Sequence, residues 1–309
     1  MLPDETVARF RDDWNALTDR SAGDIGVAVS GGGDSLALLL LSAAAFPGRV
    51  HAATVDHGLR DESAAEAEVV RTICAQLGVA HTIITLKMES GGNVSARARA
   101  LRYAALEEWR KATGVAWIAT GHHADDQLET IVMRLNRASG ISGLSGIRRR
   151  NGVVVRPVLS WRRTELAAVV ADAGLKPADD PTNRDDRYDR ARLRKSLAGA
   201  KWFNAQAVTQ SAGLLADADD ALNWAASLVE LGDAAMAAVP DEIARRAILR
   251  ALHMIDPTLN PRGEGLTRVL ATLRAGRKAM IGAITCMPGA VWRFDHAPRR
   301  RSFTPPEVS

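Results

Sequence analysis

Residues 27–41 read Val27-Ala-Val-Ser-Gly-Gly-Gly-Asp-Ser-Leu-Ala-Leu-Leu-Leu-Leu41, an apolar strand, three glycines and an apolar helix. Gly31, Gly32 and Gly33 lack Cβ atoms where the backbone must turn sharply and approach a ligand. The helix beyond them offers unpaired first-turn N–H groups and its positive dipole end. Ser30 and Ser35 add hydroxyls, and together these residues make a cradle for a polyphosphate. Asp34 repels a bare phosphate; it fits if it reaches a bridging Mg²⁺ or orients the helix start. A plain glycine-rich turn is the alternative, and the strand–turn–helix setting disfavours it. Neither a Gly-Lys-Ser/Thr ending nor G-x-G-x-x-G spacing is present, so two common nucleotide loops are excluded.

A second segment, Gly121-His-His-Ala-Asp-Asp-Gln-Leu-Glu-Thr130, opens a helix with acids at Asp125, Asp126 and Glu129. Asp125 and Glu129 are four apart and share a face. Acids at a helix start also complement the dipole, but two aspartates beside two histidines exceed what capping needs. Zinc would require tighter ligand spacing. Mg²⁺, or a positively charged amine, suits the carboxylates better. A third segment, Asp56-His57-Gly58, follows another apolar run. His57 is either a surface imidazole or a proton carrier.

These segments need a frame that brings them together. Apolar runs at 25–29, 50–55, 81–86, 115–120 and 153–158 alternate with helical patterns at 35–46, 61–77, 95–112, 124–135 and 164–173. Such alternation predicts an α/β fold, a parallel sheet with helices on both faces. Ligands in that architecture sit beyond the carboxyl ends of the strands, where all three segments fall. A polar helix with Phe10, Trp14 and Leu17 on one stripe precedes the sheet over 4–20. After Pro181 the pattern changes to a charged stretch, then Ala/Leu-rich helices from about 206 to 254, a helix near 264–274 and a hairpin around Pro288-Gly289. The expected division is a catalytic domain over 1–205 and a small, mainly helical accessory domain over 206–309.

The 309 residues suffice for two domains. No run of 18 apolar residues exists, so no membrane span is expected. Residues 1–20 are charged throughout, which argues against export. Cys74 and Cys286 cannot build a disulfide framework and suggest a reducing cytoplasm. The net charge is only +4, but the basic residues cluster. Between Ile131 and Thr164 stand eight arginines and no acid: Arg134, Arg137, Arg148, Arg149, Arg150, Arg156, Arg162 and Arg163. Guanidinium forks match phosphate oxygens, so an RNA-binding rim is expected over a merely solvated face. With no acid near it in the chain, the Arg148-Arg149-Arg150 cluster is expected to meet RNA phosphates.

Ser30-Gly-Gly-Gly-Asp-Ser35 resembles the signature of the PP-loop ATP pyrophosphatases, an adenine nucleotide α-hydrolase-like fold. Further stretches occur in the order seen in tRNA(Ile)-lysidine synthetases: Val55-Asp-His-Gly-Leu-Arg60, Ala98-Arg-Ala-Leu-Arg-Tyr103, Gly121 to Thr130, Gly140-Ile-Ser-Gly-Leu-Ser-Gly146, Arg156-Pro-Val-Leu159 and Asp180-Pro-Thr-Asn183. Residues 188–194 resemble another family stretch, with Ala191 where Asn is usual; Ala138 stands where Gly is frequent.

The resemblance implies a two-step ligase. ATP adenylates the C2 oxygen of the wobble cytidine of an isoleucine tRNA with a CAU anticodon, and free L-lysine displaces AMP. It implies ATP binding at Ser30, Gly31, Gly32, Gly33, Asp34 and Ser35, with Mg²⁺ at Asp34. Lysine binding or catalysis falls to Asp125, Asp126, Glu129 and His57. Arg99, Arg102, Arg148, Arg149, Arg150, Arg190 and Arg194 are the implied tRNA contacts. A cytoplasmic enzyme is expected, and a homodimer is possible. A tRNA thiolase would need paired cysteines, a small-molecule ligase would need no arginine rim, and a non-catalytic RNA binder would have no reason to keep the loop intact.

Overall fold

Leu36, Leu38, Leu39 and Leu41 are all fully buried, so α2 (Gly33–Ala45) is apolar around its whole circumference. A helix of that kind must lie inside the protein rather than on its surface. In a computed structural model of the chain it packs between α1 (Asp4–Asn15), α7 (Arg163–Asp172) and the sheet. The structure describes residues 2–18, 23–56, 58, 62–86, 94–178, 189–200, 202–261 and 263–297. His57, the Asp180–Asn183 motif and Tyr188 lie outside the described residues.

The main sheet is ordered β3-β2-β1-β4-β6-β5: β1 (Ile25–Ala28), β2 (Val50–Asp56), β3 (Ala80–Thr85), β4 (Trp117–Ala119), β5 (Arg150–Asn151) and β6 (Val154–Val155). All pairings are parallel except β5 with β6. Alternation along the strands feeds two cores. Ile25, Val27, Val50 and Ala52 join α1, α2, α7 and α3 (Glu62–Gln76), while Ala53 and Ile118 join Leu106 and Trp109 of α4 (Val94–Thr113). The parallel α/β expectation holds. The strand expected over 153–158 is cut to two residues, because Pro157 has no N–H for a ladder and the chain turns there.

The order of strands reverses beside β1: the chain moves out to β2 and β3, then returns to place β4 on the other flank. The loops after β1 and β4 therefore flank a switch-point crevice. The second of them leads into α5 (Ala124–Leu135), followed by α6 (Ile141–Leu144). Past the end of α5, Ala138 has φ 50°, and Ser139 N–H reaches back to Arg134 O at 3.1 Å. A left-handed C-terminal cap of this kind favours glycine. Ala138→Gly is expected to stabilise the protein by about 0.5–1 kcal/mol in chemical denaturation, and a loss would show the strain is relieved otherwise.

The charged stretch after 184 contains α8 (Asp189–Ala198), and α9 runs over Ala205–Ser227. The chain divides into compact units Met1–Ala216 and Asp217–Ser309, a boundary inside α9 rather than at 205. The start of α9 belongs with the first unit because Ala205 and Val208 pack on Ala124 and Leu128 of α5. The second unit holds α10 (Asp233–Ala238), α11 (Asp241–Ile255) and α12 (Gly263–Arg274) around Met236, Ile248, Leu252 and Leu270. It also contains an antiparallel sheet of β7 (Ala279–Ile281), β8 (Ile284–Met287) and β9 (Arg293–His296); the expected hairpin is its β8–β9 pair. No described helix is long and apolar enough to cross a membrane.

Candidate active site

The glycine loop holds itself open. Gly31 adopts φ +85°, and its carbonyl is tied down by Ala178 N–H at 3.0 Å. Ser35 Oγ donates to Gly32 O at 2.9 Å and accepts Ser30 N–H at 3.1 Å. Ser35 thus spends its hydroxyl proton on the loop and is a brace rather than a free donor; Ser30 Oγ lies 3.2 Å from it. The first helical bond of α2 runs from Leu36 N–H to Gly32 O at 3.0 Å. The amides of Gly33, Asp34 and Ser35 therefore precede the ladder, as a phosphate cradle requires.

The glycines differ in what they do. At Gly31 the backbone itself needs glycine, so Gly31→Ala should lower stability by about 1–2 kcal/mol. Gly32 has φ −71°, and a Cβ there would meet only Ser30 Oγ, at 3.7 Å. Gly32→Ala is expected to melt with the parent protein yet to bind ATP at least about tenfold more weakly, because the methyl fills space the phosphates need. Thermal melts beside ATP titrations test this, and parental ATP affinity would take the loop out of the site.

The β4–α5 loop docks directly on this cradle. A Cβ at Gly121 would sit 2.9 Å from Asp34 O, so the two backbones touch. His123, only 1% exposed, then enters a carboxylate cluster. Its Nε2 lies 3.4 Å from Asp34 Oδ2 and 3.5 Å from Asp126 Oδ2, and its Nδ1 lies 3.7 Å from Asp125 Oδ2. Burial opposes the charged imidazole, but the contact with Asp34 and the charges of Asp126, Asp34 and Asp125 outweigh it and raise its pKa. Asp34 answers in kind: burial works against its charge, yet His123, Arg163 and Arg194 hold its pKa below the usual value. Each member of the pair thus favours the charged form of the other.

His122 points into the opposite environment. Its Nδ1 bonds Thr120 Oγ1 at 3.0 Å. Burial, with Arg156, Arg99, Arg102 and Arg190 around it, drives its pKa down to about 3. It is a neutral imidazole encircled by guanidinium groups.

The acids of α5 are matched by arginines of this same chain. Asp125 takes Arg162 Nε and Nη2 at 3.3 and 3.0 Å and Arg163 N–H at 2.8 Å. It pins the start of α7 to the start of α5, which makes it a poor partner for an incoming ammonium. Asp126 accepts His123 N–H at 3.2 Å and Arg190 Nη2 at 3.0 Å. Glu129, 3% exposed, receives Arg190 Nε at 2.7 Å and Arg194 Nε and Nη2 at 2.7 and 3.1 Å. Arg190 and Arg194 are therefore paired with these carboxylates in this structure while parts of both side chains still meet solvent.

A family model for the PP-loop domain matches residues 6–200. The tRNA(Ile)-lysidine synthase of Novosphingobium aromaticivorans is 44% identical over 97% of each chain, and that of Zymomonas mobilis subsp. mobilis is 40% identical over 92% of each. This chain belongs to the tRNA(Ile)-lysidine synthase family. A solved structure, the U34-tRNA thiolase NcsA of Methanococcus maripaludis with its [4Fe-4S] cluster, aligns with TM-score 0.56 at 15% identity. It covers 68% of this chain and 78% of its own, a likeness of fold alone.

For a lysidine synthase family member, the arginine run is less open than its sequence suggests. Arg134 holds the carbonyls of Gly143 and Gly146, and Arg156, 5% exposed, bonds Arg148 O at 2.7 Å. The Arg148–Arg150 cluster is not without an acid: Arg149 reaches Asp13 Oδ1 at 3.3 Å. Arg148 bonds Ala216 O, while Arg150 bonds Leu17 O and lies over the Trp117 ring, 4.4 Å from its centroid. Arg99 and Arg102 flank the Tyr103 ring on α4. The roles of His122 and His123 were not separable in the sequence, since neighbouring residues at a strand end point in opposite directions. For Mg²⁺, no group of three or more His, Cys, Asp or Glu poised for a metal exists among the described residues. Asp34 still fits one, because Mg²⁺ keeps its waters and takes one or two carboxylates plus substrate phosphates.

Proposed function

We propose that this chain uses ATP to adenylate the C2 oxygen of the wobble cytidine in an isoleucine tRNA with a CAU anticodon, and joins free L-lysine there as lysidine. The observation that carries the reading is the docking of the His123 cluster onto the glycine cradle, with Nε2 3.4 Å from Asp34. Phosphate grip and proton chemistry then share one crevice. The amides of the α2 start hold the pyrophosphate as it leaves. Asp34, with Asp126 nearby, would hold Mg²⁺; when bound, the ion neutralises phosphate charge. His122, held neutral with its pKa at about 3, is too weak a base for the lysine ε-ammonium and is suited instead to accept or donate a hydrogen bond to the substrate. Free lysine carries an ammonium at each end and a carboxylate. Asp126, with Arg190 and Arg194 beside it, offers both signs of charge to such a ligand, while the buried Glu129 holds the two arginines in place. Arg99 and Arg102, whose charges act on His122, would meet the cytidine and its phosphate. The site works in the cytoplasm, as monomer or homodimer.

The test is mass spectrometry of the wobble nucleoside after incubation with ATP, isotopically labelled lysine and tRNA. A labelled lysine adduct with AMP and pyrophosphate is expected. A sulfur mass gain would favour a thiolase, which Cys74 and Cys286 disfavour: both are buried, and burial pushes each thiol up to about 11.

Arg149 and Arg150 are both exposed, and Arg149, whose guanidinium reaches an acid rather than the Trp117 ring, serves as the test of the cluster. Arg149→Ala is expected to reduce the log–log salt slope of tRNA binding by about 0.7–0.9 with ATP affinity unchanged. An unaltered slope would mean that Arg149 serves only Asp13.

A further inference from the structure

We propose that Arg156 and His122 form a second phosphate-binding site, apart from the glycine cradle, that takes one phosphate oxyanion of the substrates. The proposal rests on the reading that ATP and a tRNA meet in this crevice. Two sources share the chemistry: the α phosphate of the nucleotide and a phosphodiester beside the wobble cytidine.

Arg156 is 5% exposed, yet its side chain makes no ion pair among the described residues. Nη1 donates to Arg148 O at 2.7 Å, and Nε is enclosed with no hydrogen-bond partner. A guanidinium carries five N–H donors and a permanent charge. Charges taken out of water are matched by an opposite charge, because their desolvation is otherwise uncompensated. One neutral carbonyl does not supply that match, and a glutamine could make the same bond. The fold therefore keeps a buried cation for something that is not part of the chain.

Its position is the rim where ligands bind in a parallel sheet. Arg156 follows β6 and Thr120 follows β4, and Thr120 N–H bonds Val155 O at 3.1 Å, so the two neighbouring strands end level. His122 stands two residues beyond, with Nδ1 3.0 Å from Thr120 Oγ1. Burial and then the charge of Arg156 do most to keep this imidazole neutral. Its Nε2 makes no hydrogen bond among the described residues, and a neutral ring with its proton on Nε2 donates to an oxyanion. Arg99 and Arg102, which make no ion pair among the described residues, add to the positive field at His122. Strand β6 lies two places from β1 in the sheet, about 10 Å away, so the phosphate taken here differs from those in the cradle.

The experiment measures AMP, pyrophosphate and tRNA binding by the full chain and by Arg156→Gln and Arg156→Met, beside thermal melts. Both variants should melt at or above the parent temperature, since each removes a buried charge that the fold leaves unmatched. Pyrophosphate, which reads the cradle, should bind all three proteins alike. Arg156→Gln should lose at least about tenfold in affinity for the ligand that supplies the oxyanion. A loss for AMP with parental tRNA binding identifies the α phosphate. A loss for tRNA, with the log–log salt slope reduced by about 0.7–0.9 and parental AMP binding, identifies a phosphodiester. Parental affinity for both AMP and tRNA, or failure of both variants to fold, makes Arg156 a staple of the β5–β6 hairpin and overturns the site. An equal loss for pyrophosphate overturns its separation from the cradle. A parent chain that forms lysidine while the variants bind like it refutes this site alone. A parent that binds neither nucleotide nor tRNA refutes the proposed function and the site with it.

Discussion

Asp34→Asn is expected to lower turnover by at least about a hundredfold at low Mg²⁺, with partial recovery as Mg²⁺ is raised. The amide keeps the shape of the carboxylate and removes its charge. Two partners lose by that change. Any Mg²⁺ that Asp34 would hold loses that carboxylate, and His123 loses the nearest of the three carboxylates that favour its charged form. ATP should still bind, because the cradle amides of Gly33 and Ser35 are untouched. Turnover measured against Mg²⁺ concentration, beside ATP titrations, decides the matter. Full activity at low Mg²⁺ would leave Asp34 as nothing more than a partner for His123.

Glu129→Ala should have the largest effect on the fold. Glu129 is buried and is the common acceptor for Arg190 and Arg194. Removing one side of a buried pair costs about 3–5 kcal/mol. Arg190 and Arg194 keep 44% and 26% side-chain exposure, so water can recover part of that. A loss of about 2–3 kcal/mol follows, concentrated on the docking of α8 against α5. Faster amide exchange in α8, with exchange in α2 nearly unchanged, is the expected pattern. Lysine-dependent turnover should fall while ATP binding persists. Unchanged exchange in α8 would show that α8 is held by contacts other than this network.

Much of the first unit was legible because its signals are local. The bounds of α5 follow from one dense motif, and the glycine loop declares a strand–turn–helix by composition alone. The charge balance of the site was not legible, because it joins residues about sixty positions apart: nothing near Glu129 in the chain announces Arg190 or Arg194. The same blindness affected the arginine run, which looked free of acids until α1 brought Asp13 to Arg149. The division at Ala216 was hidden for another reason: Ala205 and Val208 have the same helical period as the rest of α9, and only packing on α5 assigns them to the first unit. The small β7–β8–β9 sheet gave a turn signal at Pro288-Gly289 but strands too short to show a period.

Helix α2 has a consequence for how such a protein can vary. A phosphate loop mounted on a surface helix could be retuned without disturbing anything beneath it. Here the helix that presents the cradle is also the innermost beam of the domain, with Leu36, Leu38 and Leu41 fully enclosed. Affinity for nucleotide and resistance to unfolding are then properties of one piece of chain. A defect deep in the core would surface as poor nucleotide binding, and saturating nucleotide would mask the defect by holding the beam in place. Variants that look like substrate-binding mutants can therefore arise far from any atom that touches substrate.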